Sequence, residues 1–279
     1  MNRLKSLFIS AYLTLITLGS ARAIWMSISE PGWSWVVLAL LPAVLFFVWV
    51  FLGNVARTGK KSAVMWIAPV ISMVAMAGGV GMERTADIEQ WFWAVCVGLG
   101  GGLTYILWYS RFAERKVSHL EVGATLPVLE FEAADGSSVS TADLSGPLLL
   151  MFYRGNWCPL CMAQIKEIAA SYQTLAEKGV QLMMISPQSH KNTAALAKRF
   201  DVPMHFLIDN NLRVAKQLNI EALSGLPAGL EWLGYDSDTV MPTVIITDAN
   251  RKILYADQTA NYRIRPEPDD FLKVLAGAR

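Results

Sequence analysis

The stretch Leu148-Leu-Leu-Met-Phe-Tyr-Arg-Gly-Asn-Trp-Cys158-Pro-Leu-Cys161 decides the fold of the C-terminal part of this 279-residue chain. Its apolar beginning predicts a buried β-strand that runs directly into a helix. Cys158 falls at the N-cap of that helix and Pro159 at its first position, where the missing N–H of proline costs nothing. Gly179 follows the last turn as a C-terminal cap. The sequence therefore predicts a strand followed by a helix that begins with two thiols.

The position of the two cysteines favours redox chemistry. Free N–H groups and the positive dipole end of the helix surround both sulfur atoms, which lowers the cysteine pKa by one to several units from ~8.5. Residues three apart on a helix lie ~5–6 Å apart between Cβ atoms, so Cys158 and Cys161 can form a disulfide after modest adjustment. Cys158, at the cap, is expected to be the more exposed sulfur. Because disulfide exchange requires access and a thiolate, this favours Cys158 as the attacking sulfur.

Other roles for the cysteines and their neighbours stay open. A structural zinc site needs four ligands, and the further candidates are three scattered histidines, His119, His190 and His205. Two inert buried cysteines are the second alternative, although a C-x-x-C beside a βα turn is a redox signature. Arg154 either adds positive charge that stabilises a thiolate or is simply solvated. Trp157 either shapes the rim of the site or packs.

Extended and helical patterns alternate around this stretch, which predicts an α/β domain. Such alternation indicates a mostly parallel sheet covered by helices, with its site at the carboxyl ends of the strands. Asp135-Gly136 and Asp248-Ala-Asn250 predict the turns of two hairpins. The predicted strands are 148–153, 180–186, 205–208, 243–247 and 253–256, and the predicted helices are 159–178, 192–200, 211–218 and 268–275.

The first 110 residues have a different composition. They hold only 11 charged side chains but eight of the ten tryptophans, in a chain that is 53% hydrophobic overall. Tryptophans cluster at the ends of four apolar stretches, each near the ~20 residues that a helix needs to cross a bilayer. The composition excludes a disordered chain. It predicts a transmembrane domain over residues 1–116, an α-helical bundle of about four spans (7–26, 33–53, 62–82 and 91–110), followed by the α/β domain over residues 117–279.

Lysine and arginine are distributed unevenly between the two sides of this bundle. The N-terminus, the 54–61 loop and the exit from the last span carry eight basic residues, against two on the opposite side. The positive-inside rule then predicts a multi-pass protein, as in a bacterial inner membrane, with its redox domain facing the cytoplasm. The first stretch also resembles a signal peptide with a cleavage site at Ala21-Arg22-Ala23. Cleavage would leave the C-terminal domain on the same side.

Several further motifs accompany the C-x-x-C. They are Val122-Gly-Ala-Thr-Leu-Pro127 leading into Asp135-Gly136, the Phe152–Cys161 stretch itself, Gly179–Pro187, Met241–Asp248 and the closing Tyr262–Pro268. In combination, these motifs make residues 121–279 resemble the thioredoxin-fold, peroxiredoxin-like proteins of the alkyl hydroperoxide reductase/thiol-specific antioxidant family, in the branch with a tryptophan-flanked C-x-x-C. The resemblance implies antioxidant activity and a role in cell redox homeostasis. The N-terminal half lies outside it.

The resemblance implies two chemistries with opposite roles for the cysteines. The family places a proline, a threonine or serine, and the peroxide-attacking cysteine after a Phe-Tyr pair, and these slots hold Arg154, Cys158 and Cys161 here. That register makes Cys161 the attacking residue, whereas the thioredoxin register makes Cys158 the attacking and Cys161 the resolving cysteine. Thioredoxin-fold enzymes also carry a cis-proline that faces the C-x-x-C, preceded by a residue that pairs with the substrate backbone. Met241-Pro242 matches that position.

These observations predict a membrane-tethered thiol–disulfide oxidoreductase in which a Cys158–Cys161 dithiol/disulfide cycle reduces disulfides or peroxides. An external thiol donor of the thioredoxin or glutathione type is expected, since no G-x-G-x-x-G fingerprint lies between a strand and a helix, and no metal or organic cofactor is implied. The mildly acidic C-terminal part does not indicate nucleic-acid binding. The alternatives are a peroxidase that uses Cys161, a non-enzymatic membrane redox sensor, and the same chemistry on the outer side, acting on envelope protein disulfides.

Overall fold

The computed structural model describes residues 2–77, 87–112, 120–258 and 260–277. The chain divides into two compact units, Arg3–Arg111 and Phe112–Arg279. The first unit consists of helices, and the second is a β-sheet with helices packed against it.

The helical unit contains three helices that are long and apolar enough to cross a membrane, Asn2–Ser29, Pro31–Leu52 and Ile88–Tyr109. The predicted third span, 62–82, corresponds in part to a helix of 14 residues, shorter than the ~20 of a full crossing, and residues 78–82 lie outside the described residues. In chain order the helices are α1 (Asn2–Ser29), α2 (Ser34–Leu52, after a 3₁₀ turn at Pro31–Trp33), α3 (Val64–Ala77, after a 3₁₀ turn at Gly59–Ala63) and α4 (Ile88–Tyr109, with π-helical segments at Phe92–Gly100 and Tyr105–Tyr109).

Glycines allow the helices of this unit to approach one another closely. A Cβ atom on Gly102 would lie 2.2 Å from the backbone oxygen of Met65, and one on Gly101 would lie 2.3 Å from the ring of Tyr12. Real Cβ atoms do not approach other atoms so closely, so α4 packs against α1 and α3 because these two positions carry no side chain. Cys96 on α4 is exposed, although cysteine is more often a buried residue.

The second unit is built on a seven-stranded sheet. Its strands are β1 (Glu130–Ala133), β2 (Ser138–Ser140), β3 (Leu148–Phe152), β4 (Gln181–Ser186), β5 (His205–Ile208), β8 (Thr243–Thr247) and β9 (Ile253–Asp257), and a separate antiparallel pair is formed by β6 (Glu221–Ala222) and β7 (Thr239–Val240). The order in the large sheet is β2-β1-β5-β4-β3-β8-β9. All five predicted strands are confirmed to within one residue at each end.

The expectation of a mostly parallel sheet is wrong. Only the β3/β4 and β4/β5 pairs are parallel, whereas the other four pairs of the large sheet are antiparallel. Two of these four are the hairpins predicted at Asp135-Gly136 and Asp248-Ala-Asn250, and such short connections join only antiparallel strands. The alternation of strands and helices therefore holds for β3 to β5, and β8 then returns antiparallel to β3.

Helices cover the sheet, and the first of them differs from the prediction. The predicted helix 159–178 is divided at Ser171, which leaves helical geometry at φ −94° and ψ 7°. The Ser171 hydroxyl donates to the backbone oxygen of Glu167 at 3.2 Å, a contact that competes with helix continuation. The helices of this unit are α5 (Pro159–Ala170), α6 (Tyr172–Ala176), α7 (His190–Ala197), α8 (Arg213–Gln217) and α9 (Pro268–Gly277).

The close packing at Gly102 gives a testable prediction. Gly102→Ala is expected to lower the thermal unfolding midpoint of the detergent-solubilised protein, because the added methyl group has to displace the Met65 backbone. Overpacking of this kind costs ~1–3 kcal/mol, which corresponds to a decrease of roughly 2–12 °C. Gly32→Ala is the matched control, since a Cβ there would lie 4.0 Å from its nearest neighbour, Gln90 Nε2. Equal midpoints for the two variants would contradict the close approach.

Candidate active site

Both cysteines lie where the carboxyl end of β3 meets the amino end of α5. All five residues of β3 are buried, Cys158 is the N-cap of α5 in an extended conformation, and Pro159 is the first helical residue, as the sequence predicts. Gly155, in the turn between strand and helix, has a φ of +148°, and a Cβ there would lie 2.5 Å from Trp157 Nε1. The turn therefore requires glycine at this position.

The two sulfur atoms are shielded from solvent. Cys158 is 5% exposed, Cys161 is fully buried, and both are free thiols. Cys158 is thus the more exposed residue, as expected, but the difference is small. In this conformation the Cys161 residue has no solvent-exposed surface.

A buried arginine from the C-terminal segment contacts the deeper thiol. Arg265 Nη1 donates to Cys161 Sγ at 3.6 Å and to Gln164 Oε1 at 2.9 Å. The Arg265 side chain is itself buried. A guanidinium that is removed from water interacts strongly with a neighbouring negative charge, so this contact favours the thiolate form of Cys161.

Negative charge at the site is concentrated on Cys161. Burial by itself would raise the pKa of the Cys161 thiol, but the hydrogen bond from Cys158 and the positive charge of Arg265 outweigh it and lower the pKa to about 5. Burial and the same hydrogen bond raise the pKa of Cys158 well above its ordinary value. This differs from the expectation that Cys158 is the attacking thiolate. The reason is that the two sulfurs share one proton, which Cys158 holds because the guanidinium contacts Cys161.

The two neighbours singled out in the sequence, Arg154 and Trp157, both adjoin this pair. The backbone N–H and the positive charge of Arg154 also lower the pKa of Cys161. Its guanidinium lies 4.7 Å from the ring centre of Trp157 and donates to the backbone oxygen of Gly225. Arg154 therefore contributes positive charge that stabilises the Cys161 thiolate. Trp157 packs against the Arg154 guanidinium.

A chain of hydrogen bonds holds the turn against neighbouring loops. Gln188 Nε2 donates to the Tyr153 hydroxyl at 3.0 Å, and the Asn156 N–H donates to Gln188 Oε1 at 2.9 Å. The Tyr235 hydroxyl donates to Asn156 Oδ1 at 2.6 Å. Burial and the negative charge of Cys161 raise the pKa of Tyr153, so its hydroxyl stays protonated. These hydrogen bonds link Tyr153, near the thiolate, to Tyr235, which lies 79 positions after Asn156 in the sequence.

Arg265 and Gln164 are the site residues that the sequence reasoning missed. Gln164 follows Cys161 by three positions on α5, a spacing that places both on one helix face and that could have identified it. Arg265 lies 104 positions from Cys161. In the sequence, Arg265 was indicated only by its place inside the Tyr262–Pro268 motif, to which the sequence by itself assigned no function.

Met241 and Pro242 lie between β7 and β8. The Met241–Pro242 bond is trans, because none of the described peptide bonds is cis, so the expected cis-proline is wrong. The Met241 N–H donates to the backbone oxygen of Ile220 at 2.7 Å, which extends the β6/β7 pairing, and the trans bond is the intrinsically preferred form for the connection into β8. Pro242 still adjoins the site, because it lines a cavity of about 10 Å³ together with Gln164 and Arg265.

The histidines weighed as zinc ligands have other contacts. His190 Nε2 lies 2.6 Å from Glu132 Oε1, and His205 Nε2 lies 3.4 Å from Gln181 Oε1. His119 lies outside the described residues. In the part of the chain that the structure describes, no group of three or more potential metal ligands is brought together.

The C-terminal part of the chain is similar to known proteins. Residues 122–256 match the AhpC/TSA family model. Peroxiredoxin Bcp of Bacillus subtilis (strain 168) is 24% identical over 123 residues, which is 44% of this chain and 78% of that protein. Thiol-disulfide oxidoreductase ResA of Halalkalibacterium halodurans is 23% identical over 141 residues, 49% of this chain and 79% of that protein. The crystal structure of peroxidoxin BcpB from Mycobacterium tuberculosis has a TM-score of 0.47 and 23% identity, covering 58% of this chain and 99% of that one.

The buried dithiol on a thioredoxin-like scaffold and these relatives define the protein as a thiol-dependent oxidoreductase, of the disulfide reductase or peroxidase type. Its α/β unit is a thioredoxin-fold, peroxiredoxin-like domain with the AhpC/TSA match at residues 122–256, as the sequence motifs predict. The helical unit lies outside that match.

The contact between Arg265 and Cys161 gives a pH-dependent prediction. Ultraviolet thiolate absorbance of the reduced protein is expected to rise with a midpoint near the pKa of about 5, and the signal should disappear in Cys161→Ser but persist in Cys96→Ser. Arg265→Met removes a positive charge that stabilises the thiolate, so the midpoint should move upward by one unit or more, while Arg265→Lys should retain part of the effect. An unchanged midpoint in folded Arg265→Met would show that the guanidinium does not stabilise the thiolate.

Proposed function

We propose that this protein is a membrane-tethered, thiol-dependent peroxidase in which Cys161 attacks the substrate and Cys158 resolves the intermediate. The observation that carries the proposal is the stabilisation of negative charge on Cys161 by Arg265 and by the Cys158 thiol, at a sulfur that is fully buried. The thiolate is the nucleophilic form of cysteine. A hydroperoxide needs a smaller opening of the structure to reach a buried thiolate than a disulfide on another folded protein does.

The two cysteines divide the chemistry between them. The Cys161 thiolate attacks one peroxide oxygen and the O–O bond breaks, which leaves a sulfenic acid on Cys161. The leaving oxygen takes the proton held by Cys158 and departs as water or an alcohol. The Cys158 thiolate so formed attacks the Cys161 sulfur, and the S–OH oxygen leaves as water after taking a proton from solvent. A disulfide results, and an external thiol donor returns two electrons and one proton to it, which restores the Cys158 thiol and the Cys161 thiolate.

Thiol–disulfide exchange through Cys158 is the second candidate. It is favoured by the small exposed fraction of the Cys158 residue, 5%, whereas the Cys161 residue is fully buried. The raised pKa of Cys158 counts against it, because little attacking thiolate is then present on that residue.

The packing of the helical unit supports four membrane crossings. Trp35, near the start of α2, donates from Nε1 to Gln90 Oε1 near the start of α4 at 3.3 Å, and the rings of Phe47 and Tyr105, near the ends of the same helices, have centres 5.2 Å apart. Helices α2 and α4 therefore run in the same direction, so the chain between them has to return across the layer. We assign that return crossing to α3.

Charged contacts at the helix ends support a cytoplasmic redox domain. The Lys5 amine donates to the backbone oxygen of Arg111, so the start of α1 and the end of α4 lie at the same end of the unit. That end carries most of the basic residues and, by the positive-inside rule, faces the cytoplasm. Arg22, one of the two basic residues assigned to the opposite end, is paired with Glu89 at 2.5 Å.

The roles of the two cysteines can be separated with single substitutions. Cys158→Ser is expected to consume about one equivalent of hydrogen peroxide and to accumulate a sulfenic acid on Cys161, because the attacking thiolate remains and the resolving thiol is gone. Cys161→Ser should lose peroxide consumption, and Cys96→Ser should retain turnover. Mass spectrometry of protein trapped with a sulfenic acid reagent measures this. Two results together would support thiol–disulfide exchange instead. The Cys161→Ser variant would form a mixed disulfide on Cys158, and Cys161 in the Cys158→Ser variant would not be oxidised by peroxide.

The orientation is tested with a reporter fused after Arg279. Because the end of α4 is placed on the basic side of the membrane, a reporter that functions only in the cytoplasm should be active and one that requires export should be inactive. The control is the same pair of reporters placed after Glu30, in the connection between α1 and α2, where the opposite result is expected. Activity of the exported reporter at Arg279 would put the redox domain on the outer side.

A further inference from the structure

The segment between β6 and β7, called the 223–238 loop here, carries large apolar side chains in contact with solvent. Trp232 is 95% exposed and Leu233 is 70% exposed, and both belong to the 3₁₀ turn Leu230–Leu233. Gly229 and Gly234, which flank the turn, both have positive φ. Adjacent exposed apolar residues of this size are typical of a surface that another molecule covers.

Hydrogen bonds join the two arms of the 223–238 loop at its base. The Ser224 N–H donates to Asp238 Oδ1 at 2.7 Å, and the Leu226 N–H donates to the backbone oxygen of Ser237 at 3.0 Å. A Cβ on Gly225 would lie 2.7 Å from Thr239 Cγ2, so the two arms of the loop pack closely at this position. The exposed turn is therefore presented by an ordered, paired base.

Two side-chain contacts join the loop to the segment that precedes Cys158. Arg154 donates to the backbone oxygen of Gly225, and the Tyr235 hydroxyl donates to Asn156 Oδ1 at 2.6 Å. Arg154 and Asn156 lie four and two positions before Cys158. A molecule that binds the loop is consequently held beside the N-cap of α5, on which Cys158 lies.

The charge of the loop restricts what can bind there. The 223–238 loop contains three acidic side chains, Glu231, Asp236 and Asp238, and no lysine or arginine. A monothiol such as glutathione is too small to cover the apolar turn. Anionic lipid headgroups would be repelled by the carboxylates that flank the apolar turn. A protein surface with an apolar centre and a neutral or basic rim complements the loop.

We propose that the 223–238 loop is the docking surface for the electron donor, and that this donor is a protein dithiol whose contact face is apolar and carries no net negative charge. The proposal rests on the Cys158–Cys161 cycle proposed above, because it concerns the step that reduces the disulfide.

The reduction step follows from the same geometry. A donor thiolate attacks the Cys158 sulfur, the Cys158–Cys161 bond breaks, and Cys161 leaves as the thiolate that Arg265 stabilises, which is the better leaving group of the pair. The second donor thiol then attacks the donor sulfur of the mixed disulfide, and Cys158 is released and takes up a proton. The donor is oxidised to a disulfide, and the enzyme regains one thiol and one thiolate.

The test compares a protein donor with a small dithiol on the same oxidised enzyme. The full-length protein, in detergent, is converted to the Cys158–Cys161 disulfide with diamide, so that this step does not depend on peroxidase activity. Its reduction is followed with a thioredoxin whose contact face is neutral or basic, and separately with dithiothreitol. The Trp232→Ser/Leu233→Ser variant is expected to lose tenfold or more of the second-order rate constant with thioredoxin and less than twofold with dithiothreitol.

Val122→Ser is the matched control, because Val122 is also 70% exposed but lies outside the loop, and it should leave both rate constants unchanged. Equal losses with both reductants in the loop variant would show a general disturbance of the site and overturn the proposal. So would an unchanged rate with thioredoxin. Oxidation of the reduced enzyme by hydrogen peroxide is measured separately, and its failure would remove the peroxidase proposal without affecting the docking result.

A second measurement determines whether the apolar turn of the 223–238 loop contacts the lipid bilayer. The full-length protein is placed in nanodiscs that contain brominated phosphatidylcholine, and the emission of Trp232 is obtained as wild type minus Trp232→Phe. The docking proposal requires that this emission is not quenched by the brominated lipid. Quenching would assign the apolar turn to the bilayer and overturn the assignment to a protein donor.

Discussion

The site depends on one constraint, which is that a buried sulfur atom can carry a negative charge only if protein groups replace the water it has lost. Removal of a thiolate from water is costly, and burial by itself favours the neutral thiol. At Cys161 the compensation comes from a guanidinium at 3.6 Å and from the neighbouring Cys158 thiol. The asymmetry of the pair follows, because one proton is held on Cys158 and the charge stays where the cations are.

Most of the structure around the turn maintains that arrangement. The five buried residues of β3 fix the end of the strand, and Gly155 gives the chain the positive φ that brings Trp157 and Cys158 into place. The hydrogen bonds from Tyr235 to Asn156 and from Gln188 to Tyr153 connect the turn to separate loops. The same contacts attach the exposed 223–238 loop to the site, so recognition of a donor and placement of the cysteines share one set of interactions.

The helical unit follows a different physical rule. Its side chains do not need to exclude solvent from a polar centre, and the helices instead approach closely at positions without side chains, such as Gly101 and Gly102. Polar contacts are found towards the helix ends, as between Arg22 and Glu89, where charged groups are less costly than at the middle of an apolar layer.

The sequence by itself determined the local features of this protein. The strand into Cys158, the N-cap with Pro159, the two hairpin turns and the long apolar helices all depend on neighbours within one element, and the pattern of residues records such neighbours directly. The tertiary structure decided which strands are antiparallel and where the charge lies in the active site. Strand direction depends on how β8 returns beside β3, and the identity of the thiolate depends on Arg265, 104 residues from Cys161. Both are contacts between distant segments, and local spacing carries no information about which distant side chain will arrive beside a buried group.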